Sequence, residues 1–140
     1  MPKAKGNEPC ACHSGLKYKR CCRPFHRGRA PESPALLMQS RYSAYALGLA
    51  DYILKTTDPS GPHWQNKRDN WLIEIRLFSA STSFIGLDVQ NEDIQDDRGW
   101  VRFDALLRQN GRDEKMTEVS LFRRVDGRWL YHSGTQPTST

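Results

Sequence analysis

At 140 residues the chain can bury one core of ordinary size and no second one. Its net charge of +5 is concentrated at the start, where residues 1–30 hold eight Lys or Arg against the single acid Glu8, leaving the remainder slightly acidic. No run approaches the ~20 consecutive apolar residues that a bilayer span needs, and the opening Met1-Pro2-Lys3-Ala4-Lys5-Gly6 leads into polar residues, so the expectation is a cytoplasmic protein with no membrane partner.

All four cysteines fall within thirteen residues, as Cys10-Ala11-Cys12, an eight-residue spacer and Cys21-Cys22. A disulfide scaffold would scatter its cysteines to staple distant loops, and the neighbours Cys21 and Cys22 cannot pair without strain. The pattern therefore points to a reduced metal site. Zinc favours four soft ligands in a tetrahedron, and Ser14-Gly15 supplies the tight turn that brings such ligands to one ion. The spacer has length for one helical turn, with Leu16 and Tyr18 covering the site. His13 and His26 leave the ligand count open, since either imidazole can stand in for one thiolate; His26 lies four residues beyond Cys22. A site with four protein ligands keeps no position for water, so the zinc reads as structural. Basic residues interleaved with aromatics, Tyr18, Lys19, Arg20 and Phe25 foremost, read as a docking surface. An acidic protein surface is the expected partner, with RNA or the ribosome as the alternative.

Residues 27–34, rich in Pro and charge, form a linker between this knuckle at 1–26 and a domain at 35–136. Ser33 can cap a helix with Pro34 in its first turn, and Leu37, Tyr42, Tyr45, Leu49 and Tyr52 recur at helical spacing up to Asp58-Pro59, with Gly48 able to break it in two. A loop with Gly61-Pro62-His63-Trp64 follows, then a second helix from Lys67 to Ser79 carrying the apolar stripe Trp71, Ile75 and Phe78. From Ser83 the period changes to two, predicting strands over 84–89, 99–108, 115–124 and 128–134, connected through Asn91 to Arg98, Asn110-Gly111 and Asp126-Gly127. The Asp-Gly turn fixes a register: Val125 opposes Arg128, Arg124 opposes Trp129 and Phe122 opposes Tyr131, with Leu121 and His132 on the other face. Residues 137–140 read as a flexible tail.

Helices followed by four antiparallel strands predict an α+β fold whose curved sheet wraps the long helix. The cysteine run is similar to the SEC-C motif, the zinc-binding tail first known from the preprotein translocase ATPase. Cys10, Cys12, Cys21 and Cys22 fall on its ligand positions and Ser14-Gly15 on its turn, while Ala11 and His13 stand where that motif often has Pro and Gly. The element order resembles the nuclear transport factor 2-like (cystatin-like) cone. Leu37 to Tyr45, Asp51-Tyr52-Ile53, Thr56 to Pro59, Glu118 to Phe122 and Gly127-Arg128-Trp129 together resemble the YchJ-type proteins, which join the two modules. That family commonly has Trp-His-Pro where this chain has Thr57-Asp58-Pro59, so any role of a histidine there is absent. The resemblance implies a protein-interaction adaptor with a small pocket in the cone. Candidate pocket residues are Arg41, Tyr45, Asp104, Glu118, Tyr131 and His132, with Arg41 expected to pair with a carboxylate such as Glu118. No nucleophile motif, phosphate loop or second metal cluster appears, so no catalytic residue is assigned. A small-molecule enzyme using the pocket is the remaining alternative.

Overall fold

The computed structural model describes residues 5–137, so the expected tail lies, apart from Pro137, outside the described residues. A 3-10 turn at Tyr18–Arg20 and a short helix α1 (Arg23–His26) end the N-terminal segment. The main body opens at Ser33, whose hydroxyl accepts from the Leu36 amide at 3.2 Å while Pro34 occupies the first turn, where its missing N–H is no loss. Helix α2 runs Pro34–Leu47 until Gly48 closes it in the left-handed region at φ 72°. The expected break at Gly48 is thus found, and α3 (Ala50–Lys55) follows. Helix α4 (Arg68–Ala80) buries Trp71 and Ile75 of the predicted stripe, together with Leu72, against Ala44, Tyr52, Ile53 and Leu54.

Four strands, β1 (Thr82–Gln95), β2 (Arg98–Gln109), β3 (Arg112–Val125) and β4 (Arg128–Thr135), make one antiparallel meander in sequence order. Asn110-Gly111 and Asp126-Gly127 hold both turn residues at positive φ, 52° with 74° and 51° with 80°, a geometry whose twist suits a two-residue hairpin. The first hairpin departs from expectation. Polar Asn91 to Arg98 reads as a connection, yet β1 continues to Gln95, paired with Arg98, and turns at Asp96-Asp97. Residues 90–98 are exposed on both faces, so no apolar alternation marks them as strand. Arg124 holds that turn by donating from Nε to the Asp97 carboxylate at 3.1 Å and from Nη2 to the Asp96 carbonyl at 2.9 Å.

Val101, Phe103 and Ala105 of β2 alternate inward with Phe122 and Trp129 to meet Leu37, Met38 and Tyr42 of α2. The predicted opposition of Phe122 to Tyr131 and Arg124 to Trp129 is found. Leu121, however, faces Ser133, because His132 is the extra residue of a bulge; its expected place beside Leu121 is corrected accordingly. Two further irregularities, at Ile85 and Gln90 in β1, add to the curvature.

The segment after α3 is tied to β4. The Tyr131 amide donates to the Thr56 carbonyl and the Asp58 amide to the Tyr131 carbonyl, each at 2.8 Å. Asp58, 2% exposed, accepts from Arg123 at 3.0 Å. A Cβ at Gly61 would come within 2.5 Å of the His132 carbonyl oxygen, a backbone atom that cannot step aside. Gly61→Ala should therefore cost about 1–3 kcal/mol of stability in denaturant unfolding; an unchanged midpoint would mean that this loop does not bear on β4.

Candidate metal centre and ligand cavity

The sulfurs of Cys10, Cys12, Cys21 and Cys22 all lie within 4.8 Å of one another, with Cys12 to Cys21 at 3.5 Å and Cys21 to Cys22 at 3.9 Å. A tetrahedron with metal–sulfur bonds of about 2.3 Å requires sulfur separations of about 3.8 Å, so the donor set fits one ion. His13 at φ 63° and Gly15 at φ 87° make the turn that brings the first pair round to the second. The Ser14 hydroxyl lies 3.1 Å from the Cys21 sulfur, and Cys10 and Leu16 close the loop through a 2.8 Å backbone bond. Hydrogen bonds with Cys12 and Cys22 hold the Cys10 thiol down at about 4, while those with Cys10 and Cys12 push the Cys22 thiol up. Thiols that compete this way for protons gain most when a cation replaces them.

Neither histidine joins the sulfurs; both fasten the knuckle to the cone. His13 donates from Nε2 to the Phe84 carbonyl of β1 at 2.9 Å, and its ring meets Tyr42 edge-on. His26 donates from Nε2 to the Ser40 carbonyl of α2 at 2.8 Å, its Nδ1 accepts from the Tyr18 hydroxyl at 2.7 Å, and its ring stands against Tyr52 at 4.8 Å. With both nitrogens used in this way the ring is the neutral tautomer, and burial lowers its pKa in agreement. Tyr18 is 7% exposed and presents no aromatic anchor outward, Phe25 is half-buried against the interhelical core, and Lys19 and Arg20 are exposed.

Between α2, α4 and the concave face of the sheet lies a cavity of about 420 Å³. Phe78, Phe84, Phe103, Leu107, Met116 and Ile75 supply its apolar wall, and Arg41, Tyr45, Glu118 and Tyr131 bring polar groups to it. Arg41 does not pair with Glu118 or with any other carboxylate among the described residues. Its Nη1 donates to Thr56 Oγ1 at 2.7 Å, Thr57 Oγ1 at 3.1 Å and the Ile53 carbonyl at 3.1 Å, and its guanidinium covers the Tyr131 ring at 4.6 Å. Glu118 accepts from the Ser120 hydroxyl. Burial, followed by the charge of Glu118, raises the Tyr131 hydroxyl well above its ordinary range, so it stays a hydrogen-bond donor.

Four of the six candidate pocket residues are therefore brought together, and two are not. Asp104 points out through the convex face of the sheet, where Thr117, Gln90 and Lys115 hold it, because Phe103 and Ala105 take the inward positions on either side. His132 sits in the bulge, bonded to the Ser133 hydroxyl at 2.8 Å. A different histidine lines the cavity: His63 stacks on Tyr131 at 5.7 Å, and Gln65 donates to Glu74 at the same wall. Ser120 was open to discovery by the period-2 rule from Glu118, and Glu74 by its helical spacing from Trp71 and Phe78. Nothing in the loop sequence points His63 inward.

Fold and site together define a nuclear transport factor 2-like cone carrying an N-terminal SEC-C metal-binding motif. Residues 33–134 match the family described as "YchJ, middle NTF2-like domain", and residues 7–24 match the SEC-C motif. The chain belongs to this YchJ-like family. A UPF0225 protein of Actinobacillus succinogenes is 35% identical over 129 residues, covering 90% of this chain and 80% of the relative. The solution structure of a SEC-C motif containing protein from Rhodopseudomonas palustris is similar at TM-score 0.79 and 36% identity, covering 94% of this chain and 100% of that one. A crystal structure of a SEC-C motif containing protein from Psychrobacter arcticus shares the fold at TM-score 0.77 and 24% identity, covering 100% of this chain and 88% of the other. No helix of the described residues is long and apolar enough to cross a membrane.

His26→Phe keeps an aromatic ring but strands the Tyr18 hydroxyl, and should cost about 1–3 kcal/mol of stability. Because the folded pKa of His26 lies below the ordinary 6.5, the unfolded chain binds the extra proton between the two values. His26 thus stabilises fully above pH 6.5 and progressively less as pH falls below it. Unfolding free energies of wild type and variant should converge on acidification; a constant gap would contradict the neutral bridging ring.

Proposed function

We propose that this protein is a small-molecule-binding cone braced by a structural zinc knuckle. The observation that carries the reading is the open cavity of about 420 Å³, lined by a buried arginine that has no carboxylate partner among the described residues. That volume lies within the range usual for small-molecule sites, as does the mix of an apolar wall with a few convergent polar groups. Zinc is favoured by a donor set of four thiolates at tetrahedral spacing, and such a closed set holds the ion without a position for water. Thiolates of this kind persist in a reducing compartment, which fits a cytoplasmic setting.

A second reading keeps an interaction role for the knuckle. Lys17, Lys19 and Arg20 are exposed on its outer side and suit an acidic protein surface. RNA is disfavoured beside it, since of the aromatic rings on which bases would stack Tyr18 is buried and Phe25 is half-covered by the interhelical core.

Reductively purified protein should carry about one zinc per chain by elemental analysis, and Cys12→Ser should lose it. The apolar dye anilinonaphthalene sulfonate should bind the zinc-loaded protein saturably at about one site. Met116→Trp, which fills the cavity from β3, should abolish dye binding while zinc content and far-ultraviolet circular dichroism stay unchanged. Dye binding that survives this substitution would place the dye elsewhere and remove the support for a ligand-binding cone.

A further inference from the structure

The cavity wall carries two side chains of opposite charge, Arg41 and Glu118, that make no direct ion pair with each other. Arg41 is 8% exposed, and the three acceptors around its Nη1 are all uncharged oxygens. Its Nε and Nη2 have no hydrogen-bond partner among the described residues and keep accessible surface, and the residue lines the cavity. A buried charge is ordinarily paired; one that is not invites an anionic group from outside. A planar fork of N–H donors fits a carboxylate best.

Glu118 makes the complementary demand. Its carboxylate accepts from the Ser120 hydroxyl and meets the Tyr131 phenol, but no cationic side chain pairs with it among the described residues. Tyr131 separates the two charges: the guanidinium lies over its ring at 4.6 Å, and the carboxylate stands close enough for its charge to raise the phenol. A second carboxylate, Glu74, lies at the mouth in a 2.9 Å bond with Gln65. A simple anion entering this space meets Arg41 but also two carboxylates, and a simple cation meets Glu118 but also the guanidinium. A molecule with both charges satisfies both walls, and its remaining bulk lies against Phe84, Phe103, Leu107 and Met116.

We propose that the cone binds a small zwitterion of the amino-acid class with an apolar side chain, its carboxylate on Arg41 and its ammonium group on Glu118. The proposal rests on the reading of the cone as a ligand site and goes beyond it by naming the chemistry of the ligand.

The test is calorimetric titration of the zinc-loaded full chain with three probes of matched size: L-phenylalanine, phenylpropionate, which lacks the ammonium group, and phenylethylamine, which lacks the carboxylate. Phenylalanine should bind at least about tenfold more tightly than either analogue. Glu118→Gln should erase its advantage over phenylpropionate while leaving phenylpropionate binding intact, and Arg41→Gln should erase its advantage over phenylethylamine. Phenylpropionate binding as tightly as phenylalanine, or an advantage that survives Glu118→Gln, would overturn the zwitterion. Saturable dye binding that none of the three probes displaces would overturn the amino-acid class but leave the ligand site standing. Absence of dye and probe binding alike would overturn the ligand site as well.

Discussion

A segment as short as the knuckle cannot fold on apolar burial alone, and the convergence of its four sulfurs is the constraint from which the rest follows. Once Cys10, Cys12, Cys21 and Cys22 are gathered, the residues between and after them are held at fixed angles. His13, in the left-handed turn beside Cys12, reaches the first strand of the sheet; His26, at the end of α1, reaches the middle of α2. The two contacts fall on opposite walls of the cavity. Phe84, whose carbonyl His13 holds, lines it from the sheet, and Arg41, next to the Ser40 that His26 holds, lines it from the helix. A knuckle read as a detachable docking module is thus, in the folded chain, a brace between the two sides of the cone.

The cavity stays open for reasons that can be traced to sequence. Bulges at Ile85, Gln90 and His132 add to the curvature of the sheet, and α4 bounds the space with Trp71, Glu74, Ile75 and Phe78. The long side chain of Arg41 is drawn toward the end of α3 by Thr56 and Thr57, and Tyr131 is drawn the same way by its backbone pairing with Thr56 and Asp58. The polar end of the cavity is therefore rigid, while its apolar side is a wall of aromatic rings packed edge to face, Tyr42 on Phe84 and Phe78 on Phe84.

Where a local physical rule governs, the sequence is easily read. The Ser33 cap, the Gly48 break and the Asp126-Gly127 register depend on a few adjacent residues, and each is found in the structure. The four-cysteine cluster is legible for the same reason, since ligand spacing is a local property. What escaped is tertiary. No residue pattern announces an extra residue in β4, so nothing in the sequence moves His132 from its place beside Leu121 or brings the loop residue His63 to the cavity. The strand beyond Val89 carries no sequence signal because a ribbon exposed on both faces has no apolar period. Charge alone pairs Arg41 with Glu118, whereas two uncharged hydroxyls and a backbone carbonyl take its Nη1 instead.

Hydrogen exchange of backbone amides, followed before and after zinc is stripped by a chelator under reducing conditions, tests the bracing most directly. The account predicts that protection falls in the knuckle and also in the cone, at the start of β1 around Gly86 and in α2 around Ser40 to Ala44, while the β3–β4 hairpin from Phe122 to Val125 keeps its own. Loss confined to residues 5–26, with β1 and α2 unchanged, would contradict it.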